Sequence, residues 1–378
     1  MRFWFDVWRG IDPILVGAAV VLTLLGVLTM YSHVGDNFFF NRQLLWLGIS
    51  LVAMGAAMVP DYRFLRTGYL VIMLYVVTIV SLVLLFWFGD ITMGAQRRFD
   101  LGLIAFQPSD PAKLILVIVL AKYFAKRHEL IGDFRHILVS GVYAGIFFGL
   151  VFLQPDFGSA VILGTIWLGM VFVSGIKFRH LLTVCLCAVI AFAGLWQFVL
   201  MDYQKARIAT FLDPLSDIQG AGYNAYQSTV AVGSGEWLGR GVGYGTQSKL
   251  LFLPEYQTDF IFAAYAEEWG FVGVVFLFAL FGVVVWRLLH HALRGVTNFE
   301  RLFAVGVCLF FVTHFFVHIG MNIGLLPVTG TTIPFLSYGG SHLLTEFVAI
   351  GMVLGMGRYR PVAVDAVAIE ELTQSGSS

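Results

Sequence analysis

Residues 13–35 read PILVGAAVVLTLLGVLTMYSHVG and contain no Asp, Glu, Lys or Arg. A helix crosses the hydrocarbon core of a bilayer with about 20 predominantly apolar residues. Such a helix satisfies its backbone hydrogen bonds internally, as a segment surrounded by lipid must. The stretch therefore predicts a transmembrane helix, and the rest of the fold follows from its repetition along the chain.

Runs of similar length and without charged residues recur downstream of the first one. They fall at Gln43–Pro60, Thr67–Gly89, His136–Pro155, Phe157–Ile176, His180–Met201 and Trp269–Trp286. Each of these runs predicts one further transmembrane helix.

Two other segments complete a prediction of about ten transmembrane helices. The long run Leu302–Thr345 is interrupted near its middle by two prolines and a glycine, which predicts one helix ending near Leu326 and a last helix from about Gly339 to Gly357. The short run Leu114–Ala121 reaches the length of a span only together with its flanking lysines. It is the fourth span in chain order.

The composition of the chain agrees with a membrane protein. Apolar residues make up 59% of the chain and charged residues 12%, whereas a soluble domain has about 25% charged residues. The formal net charge is zero, which argues against nucleic acid as a partner. These observations predict an all-α integral membrane protein.

The distribution of Lys and Arg predicts the orientation of the bundle. With ten spans both termini lie on one side, and that side receives 15 of the 23 Lys and Arg residues. The fifteen are Arg2, Arg9, Arg63, Arg66, Lys122, Lys126, Arg127, Arg135, Lys177, Arg179, Arg287, Arg294, Arg301, Arg358 and Arg360. Because cytoplasmic loops carry the excess of positive charge, we expect both termini in the cytoplasm.

This topology gives a single polytopic membrane domain over residues 1–360. A large extracytoplasmic loop, about residues 202–259, separates the seventh and the eighth of the ten predicted transmembrane helices. Loops of that length without structure of their own are usually functional. Residues 361–378 are small and polar, and we expect a disordered cytoplasmic tail.

Polar and ionisable residues gather in four clusters on the predicted outer side. The clusters are GAQRRFDLGLIAFQPSDPAKL at 94–114, QPDFGSA at 154–160, the Gly- and Glu-rich segment 220–270, and IGLLPVTGTTIPFLSYGG at 323–340. Ionisable residues at membrane depth are costly and are functional candidates by default. Those that meet this description are Lys113, Asp259, Glu267, Glu268 and Glu346.

The four clusters resemble the signature motifs of the SEDS family (shape, elongation, division and sporulation), which comprises RodA- and FtsW-type proteins. The family patterns include FQPSE-x-AK, QPD-[LF]-G-[ST]-A, LPE-x-HTDFIFA and GLLP-x-x-G-x-x-x-PF-[IL]-SYGG. The sequences PVTG at 327–330 and GAQR at 94–97 resemble the RodA branch.

Several positions depart from the family pattern. Asp110 stands where the family has Glu, Gln257 replaces a His, His318 an Asn and His342 a Ser. The further departures are Arg98, Phe99, Glu236 and Thr331–Thr332. The pattern around Asp259 and Lys113 is retained.

The resemblance implies a peptidoglycan glycosyltransferase of the bacterial cytoplasmic membrane. Such an enzyme polymerises lipid II, an undecaprenyl-linked disaccharide pentapeptide, into β-1,4 glycan strands with inversion at the anomeric carbon. It implies a role in cell-wall elongation, a class B penicillin-binding protein as partner, and other membrane proteins of the elongation machinery. A lipid II flippase and a non-catalytic scaffold are the alternatives.

The resemblance and the chemistry together predict the site residues. We expect Asp259 to be the catalytic carboxylate, with Lys113 as its functional neighbour. The expected substrate-binding residues are Arg97, Arg98, Glu255, Asp156, Gln154 and Ser337. Pyrophosphate leaving groups often use Mg²⁺ or Mn²⁺, and Asp259 with Glu255 offers oxygen ligands. Metal-dependent and metal-independent chemistry are both open, and no ligand spacing in the sequence requires a metal.

Many of these residues also have a purely structural interpretation. Lys113 can extend its ammonium to the headgroups, and Asp156 can cap the helix that follows it. Arg97 and Arg98 can bind lipid phosphates. The acidic pair at 267–268 and the glycine-rich stretch 233–245 can be structural elements of the bundle and its loop.

Overall fold

The computed structural model describes residues 10–31, 37–92, 95–100, 105–127, 133–198, 222–250 and 252–358, together with Lys205, Ala209 and Phe211. The predicted tail at 361–378 and much of the first part of the predicted loop at 202–259 lie outside the described residues.

Helices make up most of the described chain. In chain order they are α1 (Pro13–Tyr31), α2 (Phe38–Ala57), α3 (Arg63–Thr67), α4 (Leu70–Phe88), α5 (Ser109–Ala125), α6 (Phe134–Leu153), α7 (Phe157–Val173), α8 (Phe178–Phe198), α9 (Tyr223–Ser234), α10 (Thr246–Lys249), α11 (Ile261–Leu293), α12 (Asn298–Asn322) and α13 (Gly340–Arg358).

Seven of the described helices are long and apolar enough to cross a membrane, namely α1, α2, α4, α6, α11, α12 and α13. Helix α7 is apolar but has 17 residues. The predicted fourth span is helical as α5, and this helix begins at Ser109, so Lys113 lies in its second turn. Pro111 is tolerated there because the first turn of a helix has no intrahelical partners for its N–H groups.

A small antiparallel sheet follows α4 and departs from the all-α prediction. Its strands are β1 (Asp90–Thr92), β2 (Ala95–Asp100) and β3 (Ala105–Phe106), in the order β1–β2–β3. Asp90 pairs with Arg98, and Phe99 pairs with Phe106. The segment between α4 and α5 carries Asp90, Arg97, Arg98 and Asp100 and lacks the apolar run of a packed helix. Strand pairing satisfies its backbone hydrogen bonds instead.

Hydrogen bonds between helix termini identify one end of the bundle. The last turns of α4, α6 and α12 and the first turns of α2, α11 and α13 lie at this end. Gln43 near the start of α2 donates to the carbonyl of Ser337, just before α13, at 3.0 Å. Gln154, after α6, donates to the carbonyl of Leu82 in the last turns of α4. Asn322, at the end of α12, donates to the carbonyl of Asp259, just before α11, at 3.0 Å. We call this end of the bundle the site end.

The opposite end is held by a buried acid. Asp12 precedes α1, and its Oδ1 accepts hydrogen bonds from the N–H groups of Ile14 and Leu15. Its Oδ2 lies 2.6 Å from Nη2 of Arg287 and 3.0 Å from Nε2 of His291, both near the end of α11. Burial raises the pKa of Asp12, but the hydrogen bonds from Arg287 and His291 outweigh it and lower the pKa below its ordinary value.

The interior between the two ends is filled by large apolar side chains. Phe303, Phe310 and Phe311 of α12 are fully buried, as is Phe347 of α13. Close packing of this kind fixes the relative positions of α5, α12 and α13. Polar groups at the site end are therefore carried on a rigid support.

Candidate functional site

The segment between α12 and α13, residues 323–339, connects the elements of the site end. Oγ of Ser337 donates to the carbonyl of Thr258 at 2.9 Å and accepts the N–H of Ile333 at 3.0 Å. The N–H of Tyr338 donates to the carbonyl of Gln257 at 2.8 Å. These bonds tie the segment, which we call the α12–α13 segment, to the turn before α11.

Asp259 lies in that turn and is held through its backbone. Its carbonyl accepts a hydrogen bond from Asn322, and its own N–H donates to the carbonyl of Glu255 at 3.1 Å. Phe260 is the N-cap residue of α11, so the Asp259 carboxylate stands at the start of a helix that runs through the bundle. The side chain is partly exposed, which a residue that contacts a substrate requires.

Gly330 shows where the Asp259 carboxylate points. A β-carbon on Gly330 would lie 3.2 Å from Oδ2 of Asp259 and 3.6 Å from Nη1 of Arg97. The predicted acid and a predicted substrate-binding arginine therefore converge on the α12–α13 segment. Nε of Arg97 is buried and has no hydrogen-bond partner among the described residues. Gly330 has a φ of 69°, a left-handed conformation that glycine adopts without strain.

Glu255 organises the turn that carries Asp259. Its carbonyl accepts the N–H groups of Thr258, Asp259 and Phe260. Its Oε2 accepts hydrogen bonds from Nε2 of Gln257 and Oγ1 of Thr258, both at 3.2 Å. Gln257, which replaces a family His, is thus part of the support for this turn. A substrate role for Glu255 stays a prediction.

Lys113 does not extend to the headgroups. Its side chain is buried, and its Nζ lies 3.1 Å from Oδ1 of Asp110, one turn earlier on α5. Asp110 also accepts a hydrogen bond from Ser341 at 2.7 Å and lies 3.3 Å from Nδ1 of His342. Lys113 thus belongs to a buried charged cluster between α5 and α13. A role beside Asp259 stays a prediction.

Gln154 and Asp156 make internal contacts. Oδ1 of Asp156 accepts the N–H of Ser159 at 3.1 Å and caps α7, and its Oδ2 lies 3.4 Å from Nε2 of Gln107. Both side chains are buried. The cap is the structural interpretation of Asp156, and substrate binding by either residue stays a prediction.

The QPDFGSA motif nevertheless adjoins the centre of the site. A β-carbon on Gly158 would lie 2.9 Å from the carbonyl oxygen of Thr329 and 2.4 Å from Cγ2 of Thr331. Glycine at 158 therefore lets α7 pack directly on the α12–α13 segment on either side of Gly330. Arg98 is exposed on β2, next to Arg97 in the chain.

The acidic pair Glu267 and Glu268 anchors the glycine-rich stretch. Oε1 of Glu267 accepts hydrogen bonds from Thr246 and from the N–H of Gln247. Oε1 of Glu268 accepts the N–H of Gly243 at 3.0 Å. Both carboxylates are buried in α11. This result agrees with their structural interpretation, since the backbone N–H groups of the loop bind protein rather than an anionic ligand.

The loop approaches α11 closely where that helix is kinked. Gly270 has non-helical backbone angles inside α11, and a β-carbon there would lie 2.2 Å from the nitrogen of Gly239. The glycines at 239 and 270 therefore permit a contact between backbones that larger residues would block.

Sequence reasoning missed three residues that support the site. The side chain of Gln43 donates to the carbonyl of Ser337. The side chain of Gln107 donates to the side chains of Ser109 and Asp156. The side chain of Asn322 donates to the carbonyl of Asp259 and accepts the N–H of Ala263. Each is an amide side chain at the end of an apolar run. The signal that could have identified them is a Gln or Asn at the edge of a predicted span. A search for charged residues does not detect it.

A divalent cation was left open by the sequence. Among the described residues, no group of three or more His, Cys, Asp or Glu side chains is placed to hold a metal ion. Asp259 and Glu255 are two carboxylates in one turn, and one oxygen of Glu255 is already bonded to protein. Because Mg²⁺ prefers six oxygen ligands, the protein alone does not complete a site here, and we assign no chemical step to a cation.

Polar residues collected at one end of a bundle of apolar helices define a class of protein, the multi-pass membrane protein with a site near one membrane face. The family model of the FtsW, RodA and SpoVE cell cycle proteins matches residues 9–361. The chain belongs to this family. The resemblance seen in the four sequence clusters is thereby confirmed.

Individual relatives match over nearly their whole length. Peptidoglycan glycosyltransferase MrdB of Escherichia coli K12 is 37% identical over 368 residues, which cover 97% of this chain and 98% of MrdB. Stage V sporulation protein E of Bacillus subtilis 168 is 35% identical and covers 92% of this chain and 97% of its own.

Solved structures share the fold. The crystal structure of the rod shape determining protein RodA of Thermus thermophilus superposes with a TM-score of 0.69 at 30% identity, over 93% of this chain and 97% of that one. A chain from the structure of a peptidoglycan synthase complex gives a TM-score of 0.79 at 30% identity, over 92% of this chain and 98% of that one.

Proposed function

We propose that this protein is a peptidoglycan glycosyltransferase that polymerises lipid II at the outer face of the bacterial cytoplasmic membrane during cell-wall elongation. The observation that carries the proposal is the convergence of the Asp259 carboxylate and the Arg97 guanidinium on Gly330. A base and a cation in one place are what this transfer needs. Relatives that match over nearly their whole length bear the name of this activity.

The reaction is a single displacement at the anomeric carbon of the donor. The 4-hydroxyl of the acceptor sugar attacks C1, the bond between C1 and the pyrophosphate oxygen breaks, and undecaprenyl pyrophosphate leaves. The proton of the hydroxyl passes to Asp259. Attack from the face opposite the leaving group inverts an α-linked donor into a β-1,4 product, as in inverting glycoside hydrolysis with a sugar in place of water.

The basic residues of the site end stabilise the leaving group. Arg97, with a buried nitrogen that lacks a partner among the described residues, binds the pyrophosphate oxygens, and Arg98 on the exposed side of β2 adds a second positive charge. Guanidinium groups suit phosphates because they donate in pairs. Lys113, whose ammonium is paired with Asp110 in the buried cluster, supports Asp259 from that position.

Glu255, Gln154, Asp156 and Ser337 shape the site in which the two sugars bind. Glu255 acts through the turn before α11 and Ser337 through the α12–α13 segment. Gln154 and Asp156 act from the end of α6 and the start of α7.

The proposed topology has ten spans with both termini in the cytoplasm. The ten helices with 17 residues or more in the described chain support it, as does the position of Asp12 and Arg287 at the end opposite the site. The site end then faces the outside, and the segment between α8 and α11 is the large extracytoplasmic loop.

Accessibility of introduced cysteines tests this orientation. In a variant with Cys185, Cys187 and Cys308 replaced by Ala, we expect Lys249→Cys to react with an impermeant maleimide added to intact cells, and Arg294→Cys to react only after permeabilisation. Both side chains are exposed, whereas Ser228, in the same loop as Lys249, is buried against Asn322 and is a poor reporter. Labelling of Arg294→Cys in intact cells would show that the membrane orientation is the opposite of the proposed one.

Gly330→Ala tests the geometry of the site. The added methyl group meets Oδ2 of Asp259 at 3.2 Å, so we expect polymerisation to fall by about tenfold to a hundredfold, as displacement of a reacting group by an ångström does. Gly324→Ala is the matched control. Gly324 also has a positive φ, 74°, but its β-carbon would meet only Thr229 at 3.7 Å. Equal losses in the two variants would mean that backbone strain, not the site, is responsible.

A transpeptidase is the proposed partner, because new glycan must be crosslinked. By family resemblance this is a class B penicillin-binding protein, together with other membrane proteins of the elongation machinery. The match to a chain from a peptidoglycan synthase complex supports the proposal.

A polymerase and a lipid II flippase differ in what they do without a bilayer. The polar groups gather at one end, and the interior of α12 and α13 is packed with phenylalanine, which favours the polymerase. Purified protein mixed with lipid II in detergent is expected to yield glycan polymer. If it yields none in detergent, yet moves lipid II across the membrane of reconstituted vesicles, the flippase is correct.

A further inference from the structure

A buried histidine lies between two carboxylates at the site end. Nδ1 of His342 is 3.3 Å from Oδ1 of Asp110, and its Nε2 is 2.9 Å from Oε1 of Glu346. All three side chains are almost completely buried. The nitrogens and oxygens are close but not aligned as hydrogen bonds, so charge rather than hydrogen-bond direction governs the contacts.

The positions of the two carboxylates favour the doubly protonated form of His342. A neutral imidazole has one N–H donor and one nitrogen lone pair. Either tautomer would turn its lone pair towards a buried carboxylate. A doubly protonated ring turns no lone pair towards either acid, and its positive charge, together with that of Lys113, balances the two negative charges. A net charge left in such a buried place is costly.

The other ionisable groups around this ring do not alter the balance. His314 of α12 packs against His342 with ring centroids 4.7 Å apart. Its Nδ1 lies 3.0 Å from the carbonyl oxygen of Thr332, so that nitrogen carries a proton. Its Nε2 is buried without a hydrogen-bond partner among the described residues, where a second proton and its charge would be costly. His318 is bound in the same way to the carbonyl of Thr331 at 2.7 Å. Lys113, Asp110, His342 and Glu346 are then the charged set.

Glu346 connects this set to a strained part of the α12–α13 segment. Its Oε2 accepts the N–H of Phe335 at 3.0 Å. Phe335 has a φ of 64°, a left-handed conformation that is strained for an aromatic residue and persists only when its surroundings enforce it. Ser337, two residues further on, binds the carbonyl of Thr258 beside Asp259.

We propose that His342, as an imidazolium between Asp110 and Glu346, is a positioning residue that couples the Lys113 end of α5 to the α12–α13 segment and so holds the turn that carries Asp259. The proposal rests on the proposed function. His342 does not contact the substrate and acts through Glu346 and Phe335. The position carries Ser in the family pattern, so the device is a property of this chain.

Purified variants that first unbalance and then restore the net charge of the buried set test the proposal. His342→Ser leaves the buried set with one excess negative charge, and we expect kcat to fall by about tenfold to a hundredfold while KM for lipid II changes by less than about twofold. Glu346→Gln alone leaves one excess positive charge and is also impaired. The double variant restores neutrality and keeps an amide oxygen for the N–H of Phe335, so it is expected to be more active than His342→Ser.

Melting temperature in detergent, measured for the same four proteins, gives a readout that does not depend on activity. We expect both single variants to melt below the wild type and the double variant to melt above His342→Ser. His291→Ser is the matched control, because it removes a histidine–carboxylate contact at the opposite end, where Arg287 still pairs with Asp12. That variant is expected to keep wild-type kcat.

The outcomes separate the two proposals. A double variant that melts no higher than His342→Ser would show that the ring only fills space. It would overturn the proposal that His342 is an imidazolium between the two carboxylates, which we call the charge bridge. Wild-type kcat in His342→Ser would overturn the positioning role. If the wild type makes no polymer while the melting temperatures follow the expected order, the charge bridge stands and the proposed function fails.

Discussion

Replacement of Asp259 by Asn is expected to abolish lipid II polymerisation while the protein still accumulates in the membrane. Asn has nearly the same shape as Asp, so the turn and the backbone bonds to Glu255 and Asn322 remain. Only the proton acceptor is lost. Loss of a general base costs about 10²–10⁴-fold in rate, and the amount of polymer that the purified protein forms per unit time, separated on a gel, measures the loss.

Asp61→Asn is the control for this variant, because it makes the same chemical change at a partly exposed carboxylate that lies far from the site. That carboxylate contacts Arg63, the N–H at 3.0 Å and the guanidinium at 3.6 Å. The Asp61→Asn variant is expected to retain wild-type polymerisation. If Asp259→Asn retained more than about a tenth of the wild-type rate, that result would fall short of the range for a general base and would contradict this role.

Replacement of Lys113 by Ala is expected to remove activity and to lower stability together. The ammonium and the Asp110 carboxylate are buried and 3.1 Å apart. Removal of one partner of a buried ion pair costs about 3–5 kcal/mol, because the other charge is left uncompensated. The melting temperature and the polymerisation rate of the purified variant measure the two effects.

A second substitution separates the two effects. Asp110→Asn in the Lys113→Ala background removes the stranded charge, and we expect the melting temperature to recover while activity stays low. Lys113→Ala combined with Asp259→Asn should be little worse than either alone, since residues that act as a unit are not additive. Lys122→Ala, which removes a lysine bound to the carbonyl of Gly68 at the opposite end, is the control. Full activity in Lys113→Ala would exclude a catalytic contribution.

The helices of this protein are largely predictable from the sequence because apolar runs have a length that lipid dictates. The prediction was less accurate where charge lies inside a helix. Helix α11 begins at Ile261, next to the predicted end of the loop at about 259. The charge-free run Trp269–Trp286 covers only part of this helix, because Glu267 and Glu268 interrupt the apolar sequence. Their charges are accommodated by the N–H groups of the loop, which no local pattern reveals. Asp110 and Lys113 shorten the apparent start of α5 in the same way.

The composition of the site was predictable in part, and its geometry was not. The motif resemblance pointed to Asp259 and Arg97, and Gly330 shows that they converge. The pairing of Lys113 with Asp110 was missed, although the two residues are one helical turn apart. The sheet at 90–106 and the bond between Gln43 and Ser337 depend on partners distant in the chain, and the periodicity of a single segment carries no information about them.

The central claim, that Asp259 drives an inverting polymerisation, is tested most directly by the product of the purified protein. Wild type and Asp259→Asn are each incubated with lipid II in detergent, and any polymer is digested with a muramidase specific for β-1,4 bonds. The account predicts that the wild type forms polymer that is digested completely, and that Asp259→Asn forms none above background. Polymer from Asp259→Asn at more than about a tenth of the wild-type amount, or wild-type polymer that resists the muramidase, would contradict it.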